Sequence, residues 1–501
     1  MNMSPKQFPM KKMLGIMLFV SVLSCSKDND LNIPKTVSPD PSAGADVQDF
    51  MWKAMNYWYF WQADMPDLAD DRFPLTAEGT KLYTEFLTSE EDPGAFFDNK
   101  LLFNEDRFSY YRSDYKVLTQ SLSGISKSNG MEFGLVRFSG TDDLFGYVRY
   151  IVPGSNAATK TIKRGDLFTG VDGVSLTLNN YIDLLFGDND SYILNMATIE
   201  NSTVTPNGEE IELTKTANLS ENPIFLDKIF EINGQKIGYL IYNGFVAEYD
   251  EQLNEVFGRF KAGGVTELVV DLRYNPGGFV SSAIILSSLV YGTNTNDLFL
   301  KYRYSPKIQP LYNDNQLNRY FTNKTGAGTN LNSLNLSKVY FLATNSSASA
   351  SELVINCLTP YMEVVQIGES TRGKNEFSIT MVDDPESNFG PWVYSPAREA
   401  KINPKNKWGL QPLVGRSENA DGFSDYTSGL VPDIELEEDL ENLGILGDQN
   451  EPLLARAIQE ITGVSAKYDF TVAMPAKIMT SSKMFTPIKD NMVEDNPLNI
   501  K

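Results

Sequence analysis

Between residues 236 and about 435 the chain alternates short, near-continuous apolar runs, at 237–242, 268–272, 339–344 and 364–367, with longer helical patterns at 280–291 and 351–358. Strands read as unbroken apolar runs when both of their faces are covered, and helical connections between them supply that cover, so this stretch predicts an α/β unit around a largely parallel or mixed sheet. Such a sheet needs a large core, and 501 residues with 42% hydrophobic side chains provide one. By length alone the chain holds roughly three domains.

The flanking regions have different periodicities. Val47, Met51, Ala54, Met55 and Trp58 recur at helical spacing, which predicts a helical domain over 46–115 whose first helix runs on into the aromatic group at 57–61. Over 120–225 short strands are punctuated by Gly165-Asp166 and Asp172-Gly173, which form turns at strand ends, so a β-rich domain is expected there. The α/β unit is expected over 226–463, with a last helix at 451–463, and 464–501 reads as a tail without clear elements.

The first 24 residues read as a processing segment: Lys6, Lys11 and Lys12, then an apolar run at 14–23, then Ser24 ahead of Cys25. That run is shorter than the ~20 residues a membrane-spanning helix requires. Val22-Leu23-Ser24-Cys25 resembles a bacterial lipobox, which implies lipidation at Cys25, a membrane partner through that anchor, and location in the bacterial cell envelope, on the periplasmic or the outer face of the outer membrane. Residues 25–45, rich in Ser, Asp, Asn and Pro, have the composition of a tether. With Cys25 lipidated only Cys357 is left, so the fold is expected to hold without a disulfide, and Cys357 in its apolar helical stretch reads as core.

Charge and composition remove several function classes. The net charge is −22, and loss of the three leader lysines takes it to −25, so a nucleic-acid partner is not expected. There is no histidine at all, which excludes Ser-His-Asp and Cys-His catalytic units and histidine-bound zinc. No cofactor and no metal site are expected. Any acid–base catalysis must use another group.

Three segments at strand ends carry possible chemistry. Asp271-Leu272-Arg273-Tyr274-Asn275-Pro276-Gly277-Gly278 has glycines that let backbone N–H groups come close to a ligand, as an oxyanion hole requires, and reads equally as a strand-to-helix turn. Asn345-Ser346-Ser347-Ala348-Ser349-Ala350-Ser351-Glu352 fits an S-x-x-E capping box at Ser349, and also places a serine hydroxyl at a helix N-terminus where developing negative charge is favoured. Ile367-Gly368-Glu369-Ser370-Thr371-Arg372-Gly373-Lys374 puts a lysine on a glycine-bearing loop, without the spacing of a phosphate-binding loop. A lysine acts as a base only when neutral, which burial favours.

Together these segments resemble the serine peptidases of family S41, the C-terminal processing proteases, and most closely their Bacteroidetes lipoproteins, over roughly residues 46–463. The family pattern is D-L-R-x-N-P-G-G, then S-A-S-A-S-E, then G-E-x-T-x-G-K, with the catalytic serine and lysine 25 positions apart, the separation of Ser349 and Lys374. Gly429-Leu430-Val431-Pro432-Asp433 resembles a further family motif. The resemblance implies a ClpP/crotonase-like core preceded by a PDZ-like domain, and a Ser-Lys pair as the catalytic unit. It implies oxyanion support from Ala350 with Gly277 or Gly278, and a peptide site at Phe133, Gly134 and Leu135, on a carboxylate-binding loop. The substrate implied is a protein or peptide with a free C-terminus. Many members carry a glutamine four residues after the lysine. Here Ser378 stands in that place, and Glu352, Glu376 or Ser378 are the candidates for a supporting role. That departure motivates a rival reading, a catalytically impaired peptide-binding lipoprotein of the envelope. A surface glycan binder, suggested only by tryptophans such as Trp392 and Trp408, is a third.

Overall fold

The computed structural model describes residues 38–41, 44–464, 469–486 and 490–495. The leader, Cys25 and most of the tether lie outside the described residues. Among the described residues no helix is long and apolar enough to cross a membrane.

The chain is a mixed α/β protein with a helical N-terminal region. Its first helix, Asp46–Trp58, carries Asp46 and Asp49 in its first turn, where they complement the helix dipole, and buries Met51, Trp52, Met55 and Trp58. It stops at Trp58, short of the expected Trp61, because Tyr59 turns to an extended backbone at φ −60, ψ 134. Trp52 meets Tyr83 of the helix Ala77–Leu87 edge-on at 5.2 Å, and Trp58 Nε1 donates to Pro391 O at 2.7 Å. The aromatic stripe is therefore core. Truncating Trp52, 1% exposed, to Ala removes packing of about 3–5 kcal/mol.

The central sheet has six strands in the order Ile224–Ile232, Gln235–Tyr242, Glu267–Asp271, Lys338–Ala343, Glu363–Gly368, Ile434–Glu435. The first pairs antiparallel and the rest are parallel. The four expected strands thus appear within two residues of their sequence-read ends. Helices Asp250–Gly263, Val280–Val290 and Ala350–Leu358 connect them. Val280–Val290 is apolar almost all round and accordingly almost wholly buried. Parallel neighbours about 4.8 Å apart end at one edge. The three motifs follow the strands Glu267–Asp271, Lys338–Ala343 and Glu363–Gly368, which are adjacent in the sheet, so segments far apart in sequence converge there.

A second six-stranded sheet runs Gly277–Phe279, Asn491–Val493, Glu376–Ser378, Leu413–Glu418, Leu298–Tyr304, Asn318–Tyr320. A third, antiparallel sheet takes up the β-rich stretch, with Ile478–Ser481, Met131–Arg137, Leu144–Ile151, Leu167–Val171, Ser191–Glu200 and Thr203–Thr214 in that order. Its long hairpin turns at Asn201 and Ser202, both at positive φ (50 and 57), the two-residue loop whose twist suits a hairpin. The tail, read as featureless in the sequence, contributes Ile478–Ser481 and Asn491–Val493. Neither has the length or alternation that marks a strand, because each is completed by edges elsewhere in the chain.

Candidate active site

Ser349 stands immediately before the helix Ala350–Leu358 with φ 63 and ψ −112. A non-glycine residue held there carries about 1–3 kcal/mol of backbone strain, which surrounding contacts must impose. Those contacts are identifiable. Ala348 N–H and Ser351 Oγ both donate to Asn275 O, at 3.1 and 3.0 Å, and Ser347 Oγ donates to Leu272 O at 2.7 Å. The serine loop is thus stitched to the end of the neighbouring strand. Ser349 is completely buried and its Oγ makes no hydrogen bond.

Glu352 is the organising group. Its Oε2 accepts the Ser349 N–H at 2.7 Å and the Lys374 N–H at 2.9 Å, and its Oε1 accepts Thr371 Oγ1 and the Gly373 N–H, both at 2.6 Å. One carboxyl therefore clips the serine loop to the lysine loop. Burial pushes this carboxyl up, against the pull of those four donors, to about 7.

The lysine loop is held from outside as well. Arg107 Nη2 donates to Gly373 O at 2.6 Å, reaching in from the helical N-terminal region. Gly373 adopts φ 83, and a Cβ on it would lie 2.2 Å from Thr427 O, so no other residue fits. Leu430 N–H donates to Thr371 Oγ1 at 2.7 Å, which gives the Gly429–Asp433 motif its role as a brace. Lys374 is completely buried. Its Nζ lies 5.1 Å from the centre of the Phe108 ring and donates to the carbonyl oxygen of Asp490, so the amine's hydrogen bond goes to the tail and not to Ser349 Oγ.

The glycine turn closes the third side. Asn275, fully buried, donates from Nδ2 to Tyr242 O at 2.8 Å and accepts the Gly277 N–H at Oδ1 at 2.9 Å. The Gly277 amide is thereby committed within the turn. Gly277 itself lies against the serine: a Cβ there would be 2.8 Å from Ser349 Cβ and 3.0 Å from its Oγ. Behind the turn, Arg273 at 1% exposure binds Asp271 at 2.8 Å, Glu451 at 2.5 Å and Glu438 at 3.2 Å, and Glu438 also binds Arg164 at 2.8 Å. Burial pushes Glu438 up, but the two guanidinium groups outweigh it and hold the carboxyl at about 2.

The structure therefore gathers Ser349, Ala350, Glu352, Gly277, Gly278 and Lys374. Ser378 ends the strand Glu376–Ser378 that follows the lysine loop, where its Oγ donates to Met492 O at 3.2 Å and accepts from Gln411 Nε2 at 3.0 Å. Glu376 is paired with Arg416 at 3.1 Å. Phe133, Gly134 and Leu135 belong to the third sheet and lie within the strand Met131–Arg137, not on the loop that the resemblance suggested: all three pair with Leu144–Ile151, Gly134 and Leu135 pair also with Ile478–Ser481, and the Phe133 N–H donates to Ser482 Oγ at 3.0 Å. Buried Cys357 has its thiol pushed up by burial, as a core residue should. Sequence reading assigned no role to Asn275, Thr371, Phe108 or Asp490. The first two sit inside the recognised motifs, whereas nothing local marks Phe108 or Asp490.

Residues 236–389 match the model of peptidase family S41 and residues 46–110 that of the peptidase S41 N-terminal domain. A carboxyl-terminal-processing protease of Picosynechococcus sp. is 25% identical over 235 residues, 44% of this chain, and the match spans 49% of that protein's length. A crystal structure assigned to the S41 proteases, from Bacteroides fragilis, superposes with a TM-score of 0.60 at 29% identity, covering 83% of this chain and 97% of that one. The photosystem II D1 C-terminal processing protease is 16% identical with a TM-score of 0.47, over 86% of this chain and all of the other. From the three converging motifs and the two matching models, the chain belongs to peptidase family S41, carries that family's N-terminal domain, and is like the C-terminal processing proteases.

Proposed function

We propose that the protein is a serine endopeptidase of the C-terminal processing type, working with a Ser349–Lys374 pair. The observation that carries this reading is the single Glu352 carboxyl that binds both loops, since it fixes a nucleophile candidate and a base candidate to one point inside a buried site. Ser349 Oγ attacks the scissile carbonyl, neutral Lys374 takes its proton and later delivers it to the leaving amine, and the N–H groups of Gly278 and Ala350 receive the oxyanion. The fold supports a ClpP/crotonase-like core, and the third sheet a PDZ-like domain whose strand Met131–Arg137 takes an extended C-terminal peptide by strand addition at Phe133–Leu135. Anchoring in the bacterial envelope through lipid on Cys25 belongs to the same reading.

Ser349→Ala and Lys374→Ala should each abolish cleavage of a C-terminally extended peptide, by roughly 10⁴-fold or more. Undiminished hydrolysis in either variant removes the assignment. Ser378 in the place of the family glutamine, together with the Lys374 amine bonded to Asp490 O, favours a second reading, an impaired peptide-binding lipoprotein. Tight binding of such peptides by the unmodified chain with no product would select it.

A further inference from the structure

Two stretches of the tail lie where peptides would be bound. Ile478–Ser481 adds antiparallel to the free edge of Met131–Arg137, with Thr480 opposite Leu135 and Ser481 opposite Gly134. Ser482 Oγ accepts the Phe133 N–H at 3.0 Å and donates to Glu132 Oε2 at 2.5 Å, Lys483 pairs with Glu221, and the Phe485 ring stacks on Phe186 at 3.8 Å. Beyond it, Asn491–Val493 lies between Gly277–Phe279 and Glu376–Ser378, parallel to both. Asn491 is opposite Gly277, and Lys374 Nζ donates to Asp490 O.

The second stretch is recognised through its side chains as well as its backbone. Arg372 faces Asp490 at 3.4 Å, Asn491 Nδ2 donates to Tyr110 OH at 2.7 Å, and Glu494 receives Tyr302 OH and lies 3.5 Å from Arg319. Met492 and Val493, 0% and 2% exposed, fill apolar pockets between these polar ends. With the tail in place, Ser349 and Lys374 are both 0% exposed, so no chain can reach them. A cavity of about 380 Å³ borders Phe485, and a separate one of about 630 Å³ borders Val493, Glu494 and Asp495.

We propose that the chain's own C-terminal segment is a tethered peptide ligand, seated on the Met131–Arg137 edge and in the catalytic cleft, which keeps the site closed until another peptide displaces it. The displacing peptide runs parallel to Gly277–Phe279 and carries apolar residues flanked by carboxylates, the pattern of Asp490, Met492, Val493 and Glu494. The inference rests on the preceding functional reading only in that a substrate must reach Ser349. Occupancy of both stretches can be tested without catalysis.

Two altered chains test it: one ending at Ala476, and a full-length Phe485→Ala/Glu494→Lys chain that removes the stacking ring and reverses the charge facing Arg319. Binding of a labelled peptide of residues 476–495 is followed by fluorescence polarisation in the Ser349→Ala background, and casein hydrolysis in the unmutated-serine background. A tail holding the site closed lowers apparent affinity by the fraction of open chains, so either altered chain should bind the peptide at least about tenfold tighter than the full chain. Hydrolysis should rise in parallel and fall again when the peptide is added. Tighter peptide binding with no hydrolysis in any chain supports the tethered ligand and removes the peptidase reading instead. Equal peptide binding by folded altered and unaltered chains overturns the proposal. So does failure of both altered chains to fold, because the segment is then an indispensable part of the core.

Discussion

Ser349 and Lys374 donate their backbone N–H groups to the same oxygen, Oε2 of Glu352, at 2.7 and 2.9 Å. The second oxygen of that carboxyl accepts two further donors, from Thr371 and Gly373. The spacing of the two loops therefore depends on a group with four acceptor positions and no proton. Glu352→Gln tests this directly. Whichever way the amide is turned, its NH₂ faces two donors, and leaving buried donors unpaired costs about 1–3 kcal/mol each. The variant should melt lower and lose most of its kcat with a smaller change in KM, measured by peptide hydrolysis beside thermal denaturation. Unchanged kcat would show that the clip does not set the geometry.

The same carboxyl predicts a pH dependence. Its ordinary value of 4.5 is raised by burial to about 7, so protonation near neutrality replaces one acceptor with a donor. Activity should fall below pH 7, and this limb should be absent from whatever activity Glu352→Gln retains. For stability the sign is opposite. A carboxyl raised on folding favours the folded state most below pH 4.5, and its contribution is lost as pH rises through 4.5 to 7. Site-linked stability and activity should thus move in opposite directions over that interval, which urea denaturation across pH would reveal.

Glu438 predicts the reverse slope. Arg164 and Arg273 overcome its burial and hold it at about 2, below the ordinary 4.5. A depressed carboxyl stabilises the fold above pH 4.5, and that contribution is lost as pH falls through 4.5 toward 2. Glu438→Gln should flatten the acid limb of the stability curve. Arg273→Ala, which leaves Asp271 and Glu451 buried without their partner, should cost about 3–5 kcal/mol. Equilibrium denaturation at pH 7 and pH 4 separates the two effects.

The parallel strands and the three motifs were legible because each is local: an apolar run, a turn, a spacing of residues. Their meeting follows from strand adjacency, since Glu267–Asp271, Lys338–Ala343 and Glu363–Gly368 end side by side. The S-x-x-E pattern marks a helix start, and the structure shows what the pattern does not: the Glu352 carboxyl that reaches back to the Ser349 N–H also holds the lysine loop. Long-range partners were not legible. Nothing in the sequence around Asn491 or Thr480 says that Gly277 or Leu135 will pair with it, because a three- or four-residue strand takes its identity from the edges it joins. Phe108 and Arg107 reach the lysine loop from a region whose pattern showed only helical packing.

Gly277 and Gly278 are adjacent and both at positive φ, 108 and 137, yet they should respond differently to the same substitution. A Cβ on Gly278 points into the scaffold, 2.1 Å from Phe245 O. Phe245 cannot yield, because its N–H donates to Gly277 O at 2.8 Å and its O accepts Phe279 N–H at 2.9 Å. A Cβ on Gly277 points into the site, 2.3 Å from Asn491 O and 2.8 Å from Ser349 Cβ, where the first neighbour belongs to the tail. Gly278→Ala should therefore strain the core, by about 1–3 kcal/mol beyond its backbone cost, and lower the melting temperature. Gly277→Ala should act on the tail and the nucleophile: hydrolysis lost, tail amides exchanging faster with deuterium, and a smaller fall in melting temperature. Equal destabilisation of the two variants with no change in tail exchange would contradict this division.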